Sequence, residues 1–298
     1  MPDKVKNEIS IRKPDPGDFM VSHSSGYMDV QKLHPVFDKL WQRRNIILHG
    51  PKGVGKSISI LDWALAQGTI PLITQDCSED TRRTDLIGMF APVGDEIVYA
   101  PGSITTAIMV ANEIGHAILV MEEMNALVPQ MQKILNPLTD TRRSIFVPEL
   151  GKVISLDPEA TLWVVGVMNP AVHGGVYALN EDLKSRFDII LVDYPSSEDE
   201  AKILKKRLPN VNKDILKRSL TFARETRAAM ANYSLSTRDL EAFLDDVAII
   251  GPMRAMYILL GKFDDDTRAT IAARAKSAFG STMDVTQIAN LGEIKKLT

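Results

Sequence analysis

The segment Gly50-Pro51-Lys52-Gly53-Val54-Gly55-Lys56-Ser57 constrains this chain more than any other. It fits G-x-x-x-x-G-K-[ST] at every fixed position and follows a short apolar run, Asn45–His49. Four fixed positions match by chance in only about 1% of chains of this length, so the pattern calls for a physical reading. Gly50, Gly53 and Gly55 let the backbone turn so that successive N–H groups point inward at an anion. A helix starting near Ser57 presents its positive end to the same anion. Lys56 is then placed to reach the β- and γ-phosphates of a nucleotide, and the Ser57 hydroxyl to bind Mg²⁺. A glycine-rich turn with a surface lysine is the bland alternative, and it explains neither the strand before nor the helix after.

Four further runs read as buried strands: Ile70–Gln75, Ala117–Met121, Leu162–Met168 and Asp188–Val192. Near-continuous apolar strands of this kind suit a parallel sheet covered on both faces. Helical stretches at Ser57–Gln67, Ser103–Ile114, Val128–Leu138 and Asn180–Lys184 separate them, which predicts an α/β three-layer αβα core. Before the first strand, apolar residues at helical spacing from Asp29 to Arg43 predict an amphipathic helix. After Tyr194-Pro195 the pattern turns wholly helical, with Glu198–Arg207, Lys213–Ala231, Thr237–Ile249 and Pro252–Lys262. The expected organisation is an extended arm over 1–28, a nucleotide-binding core over 29–195, a small all-helical lid domain over 196–280 and a tail over 281–298.

Several polar residues sit where such a sheet would place its ligand. The run Ala117–Met121 ends in Glu122 and Glu123, and carboxylates at the end of a parallel strand face the crevice in which these sheets bind ligands. Glu122 can hold the magnesium shell while Glu123 orients a water; taken alone the two acids fit a solvated loop better, and it is the Gly50–Ser57 loop upstream that favours the catalytic reading. Asn169, after the next strand, can position that water or touch a phosphate, or can be a turn former before Pro170. Arg186 is either a surface cation or a finger reaching a neighbouring subunit's phosphate. Arg238 falls in the first turn of a helix, where a cation opposes the dipole.

The 298 residues carry a net charge of −3, which leaves no general electrostatic footprint for DNA or RNA. Cys77 is the single cysteine, so no intramolecular disulfide can form; it reads as a small filler near a strand end. The N-terminal MPDKVKNEIS has no apolar signal region, and no run approaches the roughly 20 apolar residues of a membrane span. A cytoplasmic location is expected, with no membrane partner.

The order and spacing of these motifs resemble the MoxR-like group of AAA+ ATPases over roughly residues 30–260. In that resemblance Gly50–Ser57 is Walker A, Ile118–Glu123 Walker B, Asn169 sensor 1, Arg186 the arginine finger and Arg238 sensor 2. Asn136–Arg143 (NPLTDTRR) and Asp193-Tyr194-Pro195 look like the CbbQ and NorQ branch, and Asp85–Gly88 and Pro101–Ile104 also match segments typical of the group. One departure is Glu122, where Walker B usually has Asp; the extra methylene moves the carboxylate outward by about one bond length.

The resemblance implies ATP with Mg²⁺ at the interfaces of a homo-oligomeric ring, usually a hexamer. It implies hairpins at about Phe90–Pro101 and Ser144–Ser155, and chaperone-like remodelling of a protein client, often with a partner carrying a von Willebrand factor A domain. The first hairpin is expected to expose Phe90, Val93, Ile97 and Val98. A nucleic-acid motor is the competing reading, but residues 86–101 carry Asp95 and Glu96 and no Lys or Arg. A slowly hydrolysing nucleotide switch is the third.

Overall fold

The computed structural model describes residues 9–23, 26–68, 70–170, 176–229 and 235–280. The chain divides into two compact units. The first is residues 1–50 with 56–192, and the second is 51–55 with 193–298.

In the first unit the elements run α1 (His34–Leu40), β1 (Asn45–His49), α2 (Lys56–Gln67), β2 (Leu72–Asp76), α3 (Arg83–Leu86), β3 (Gly88–Val93), β4 (Glu96–Pro101) and α4 (Ser103–Ile114). They continue with β5 (His116–Glu122), α5 (Pro129–Gln132), α6 (Asn136–Thr139), β6 (Ser144–Val147), β7 (Lys152–Ser155), β8 (Thr161–Met168), α7 (Glu181–Lys184) and β9 (Phe187–Leu191). The main sheet has the order β2-β5-β8-β1-β9, and every pairing in it is parallel. The five expected strands are these five. Central β5 and β8 are buried along nearly their whole length, whereas the edge strands β2 and β9 expose alternate residues. Helix α4 packs on the sheet through Ile104, Ala107, Ile108 and Ala111 and stops at Gly115 in the left-handed conformation. On the first strand's side, Phe37, Trp63 and Trp163 meet edge to face, with the Trp63 and Trp163 rings 5.3 Å apart.

Two helical expectations need correction. The Asp29–Arg43 helix is only His34–Leu40, because Lys32 has φ +56° and the Asp29 carboxylate accepts from the Leu33 and His34 amides at 2.7 and 2.9 Å. The Val128–Leu138 helix is two short α-turns joined by a 3-10 turn at Lys133–Leu135, with Pro129 and Pro137 each opening a turn.

Both expected hairpins form: β3 pairs antiparallel with β4, and β6 with β7. Ser10–Arg12 lies alongside β4 through backbone bonds to both polar groups of Tyr99. Val98 is buried at 7% exposure, contrary to expectation, while Phe90, Val93 and Ile97 are exposed.

The second unit holds α8 (Ser197–Arg207), α9 (Lys213–Ala229), α10 (Thr237–Ile250), α11 (Pro252–Leu260) and α12 (Asp265–Phe279), the last missed by the sequence reading. Its core includes Leu204, Phe222, Leu240, Phe243, Met256 and Phe279. No described helix is long and apolar enough to cross a membrane. The expected tail, 281–298, lies outside the described residues.

Candidate nucleotide-binding site

Strand β1 lies between β8 and β9, so the order of the sheet reverses at the strand that delivers the glycine-rich loop. That switch point, at the carboxyl ends of parallel strands, is where sheets of this class hold ligands. Gly50 follows β1 and sits against β9's extension: a Cβ on it would lie 1.8 Å from the Val192 carbonyl oxygen, so only glycine fits. Gly53 and Gly55 have φ of +75° and +95°, the left-handed turn expected of the loop. Helix α2 then starts at Lys56 and runs 12 residues, leaving its first N–H groups facing the loop.

Side chains from the start of α2 and from the ends of β5 and β8 converge here. Lys56 is buried at 6% exposure, and its Nζ donates to the Gly50 carbonyl at 2.7 Å and to Asn169 Oδ1 at 2.9 Å. Asn169 follows β8 directly. The Ser57 hydroxyl donates to Glu122 Oε2 at 2.7 Å, joining the first turn of α2 to the end of β5. Burial pushes the Glu122 carboxyl above its ordinary value; the Ser57 hydrogen bond counters this, and Asp76, its register neighbour on β2, adds to it. Burial beside Lys56 holds the His49 imidazole below its usual value.

Glu123 leaves the strand's alternation. It adopts φ 51°, ψ 41°, a conformation rare for a residue with a side chain, and is exposed next to half-buried Glu122. Asn125 was overlooked in the sequence. It is 3% exposed, and its Nδ2 donates to the Asn169 carbonyl at 2.9 Å, fixing the backbone that carries the Asn169 side chain. Its nearness to the acidic pair was a signal; its link to a residue 44 positions away was not.

The remaining candidates are placed elsewhere. Arg186 lies beside Asp140, with Nη1 3.7 Å from Oδ2. In the second unit, Val54 is buried, Gly53 packs so tightly on Ser236 that a Cβ would lie 2.4 Å from the serine Cβ, and the Lys52 carbonyl accepts from the Tyr194 hydroxyl at 3.3 Å. Pro51 belongs to the same loop. Exposed Arg238 occupies the first turn of α10, whose capping box is made by Ser236 and Asp239. Asp239 supplies the acidic charge that offsets the cation's misfit with the dipole. Cys77 is buried, and burial pushes its thiol up to about 12, which removes it from nucleophilic chemistry at neutral pH.

A glycine-rich loop, a buried ammonium and a helix N-terminus suit a polyphosphate. A serine hydroxyl against a carboxylate suits a magnesium ion that takes its other ligands from phosphate and water. The parallel sheet and this loop define a P-loop nucleotide-binding protein of the α/β class.

Residues 45–187 match the AAA domain of the dynein-related subfamily. The chain is 30% identical over 161 residues to protein CbbQ of Hydrogenophilus thermoluteolus, which is 53% of this chain and 57% of that protein. It is 30% identical over 159 residues to protein NorQ of Paracoccus denitrificans, 53% of this chain and 56% of that one. An uncharacterized protein of Staphylococcus epidermidis is 27% identical over 235 residues, 75% of this chain and 86% of its own. The matched stretch thus spans little more than half the length of CbbQ and NorQ. Residues 45–187 are thus an AAA domain of the dynein-related, MoxR-like kind.

Proposed function

We propose that this protein is a magnesium-dependent ATPase subunit of a homo-oligomeric, hexameric ring that remodels or activates a protein client in the cytoplasm. The observation that carries the proposal is the convergence of Lys56, Asn169, Ser57 and Glu122 through contacts of 2.7 to 2.9 Å at one end of the sheet. Lys56 and the N–H groups of the 50–57 loop hold the β- and γ-phosphates. Ser57 and Glu122 would hold the magnesium ion, which would supply positive charge against the negative charge developing on the phosphates.

Glu123 takes a proton from the attacking water as the water oxygen bonds to the γ-phosphorus and the bond to the ADP oxygen breaks. Asn169, paired with Lys56, orients that water, and Arg186 approaches from a neighbouring subunit to stabilise the transferring phosphoryl group. Arg238 acts as the lid's cation toward the nucleotide. The client is pressed by the β3–β4 hairpin, whose exposed Phe90, Val93 and Ile97 accompany Asp95 and Glu96; such a surface suits protein better than a nucleic-acid backbone. A partner with a von Willebrand factor A domain is part of the same reading.

The test is steady-state hydrolysis with and without magnesium, in wild type and in Glu123→Gln, alongside ATP affinity. Glu123→Gln is expected to bind ATP while turnover falls by about 10² or more. A slow nucleotide switch is favoured by one observation, that Glu122 is the longer acid and is already engaged by Ser57. Turnover in wild type no faster than in Glu123→Gln would decide for the switch.

A further inference from the structure

Asp140 stands between two arginines that come from different parts of the first unit. Arg142 grips it with four contacts: its backbone N–H donates to Oδ1 at 2.8 Å, Nε lies 3.1 and 3.0 Å from Oδ1 and Oδ2, and Nη2 donates to Oδ2 at 2.6 Å. The same Oδ2 lies 3.7 Å from Arg186 Nη1. The carboxylate is only 13% exposed, Arg186 28% and Arg142 62%. Arg143, next in the chain, is not part of this group, because its guanidinium donates to the Ala160 carbonyl.

The two arginines are held differently. Arg142 is consumed by a bidentate pair, the geometry in which guanidinium and carboxylate bind most firmly. Arg186 is held by charge without a hydrogen bond to Asp140, and its buried Nε has no hydrogen-bond partner among the described residues. Its donors are therefore not used up at home. A firmly anchored carboxylate beside a partly exposed, unsaturated guanidinium fixes where that guanidinium sits while leaving it able to bind an anion.

We propose that Asp140 is the positioning residue for Arg186, fixed in turn by Arg142, and that the trio presents Arg186 to the terminal phosphate of a nucleotide held by a second copy of this chain. The inference rests on the reading of Arg186 as a residue acting on a neighbour. The order of dependence is Arg142, then Asp140, then Arg186. Neutralising Asp140 leaves the nucleotide site of its own subunit intact and misplaces the cation offered to the next.

The experiment compares Asp140→Asn, Arg142→Ala and Arg186→Ala, each alone and co-assembled with Lys56→Ala subunits. Asparagine keeps the shape and an oxygen for the Arg142 amide, so the turn is retained while the charge is lost. Alone, Asp140→Asn should keep the wild-type ATP dissociation constant and lose about tenfold or more in kcat, a cost typical of a misplaced catalytic group. Arg142→Ala should shift the same way by less, and it serves as the test if Asp140→Asn does not fold. Mixed with Lys56→Ala subunits, both should regain part of the activity, because their intact loops then face intact arginines. Arg186→Ala sets the reference. If it recovers on mixing and Asp140→Asn and Arg142→Ala do not, or if these two keep full kcat alone, the positioning role is wrong. If Arg186→Ala itself shows no recovery despite proven co-assembly, the neighbour reading fails and this inference falls with it.

Discussion

Replacing Gly50 by alanine tests the phosphate-binding loop through backbone geometry. The added Cβ would lie 1.8 Å from the Val192 carbonyl oxygen and 2.8 Å from its carbon, where real contacts stay beyond 3.0 Å. Chain and strand extension must therefore part by at least 1.2 Å, the difference between 3.0 and 1.8. Val192 cannot easily retreat, since its amide donates to the His49 carbonyl at 2.8 Å. The loop has to give instead, and a shift of that size along the bond stretches the 2.7 Å contact of Lys56 with the Gly50 carbonyl past hydrogen-bonding range. Overpacking of this kind costs about 1–3 kcal/mol of stability. A displacement of about 1 Å at a reacting centre costs about 10² in rate. Calorimetry with ATP, chemical unfolding and steady-state hydrolysis measure the three effects. Gly115→Ala is the control: unlike Gly50 it has positive φ, and its Cβ meets nothing within 4 Å, so it should lose stability through backbone strain without losing ATP affinity. Wild-type ATP affinity and turnover in Gly50→Ala would refute the reasoning.

Lys56→Ala removes a charge-assisted phosphate contact worth about 1.5–3 kcal/mol, so ATP affinity should fall about ten- to a hundredfold by calorimetry. Glu122 has its folded-state proton affinity raised by burial, so its ionisation costs stability once the pH exceeds the ordinary carboxylate range. Glu122→Gln should therefore melt higher than wild type at neutral pH without nucleotide, with the gap closing as pH falls through that range; a lower melting point at neutral pH would contradict this. Glu200 is 2% exposed and takes both Arg227 Nη groups at 2.9 and 2.8 Å, so Glu200→Ala strands a guanidinium and should cost about 3–5 kcal/mol in denaturant unfolding. Replacing Val93–Ile97 by a short Gly-Ser turn, which spares buried Val98, should preserve ATP turnover and abolish client-dependent activity. Failure of that variant to fold would assign the hairpin to the core.

The strands were legible because each is a short apolar run bounded by turn residues, and burial on both faces leaves little room for another reading. Helix Ser103–Ile114 was read to the residue, since Gly102 and Gly115 bracket it. The first helix was overextended because periodicity does not register the positive φ at Lys32, and Val128–Leu138 because apolar spacing outweighed two prolines. Helix α12 escaped because much of its buried face is alanine, Ala272 and Ala275, which contributes little apolar contrast. Val98 was misplaced because the apolar residues flanking the Gly94-Asp95 turn were read as exposed together, whereas Val98 and Tyr99 are both buried, Tyr99 with its hydroxyl on the Ile87 carbonyl at 2.7 Å. At the site, the residues carried by contiguous motifs were readable. Asn125, the approach of Arg186 to Asp140 and the Glu200–Arg227 pair were not, because these partners lie 27 to 46 positions apart and only folding brings them together.

The central claim is that this loop and acidic strand end hydrolyse ATP with Glu123 activating the water. Single-turnover hydrolysis with magnesium, run on wild type, Glu122→Gln and Glu123→Gln at saturating ATP, tests it most directly. The account predicts phosphate release by wild type, and ATP retained uncleaved by Glu123→Gln at a rate lower by about 10² or more. Cleavage by Glu123→Gln at the wild-type rate, or an ATP-trapped state in Glu122→Gln alone, would contradict it.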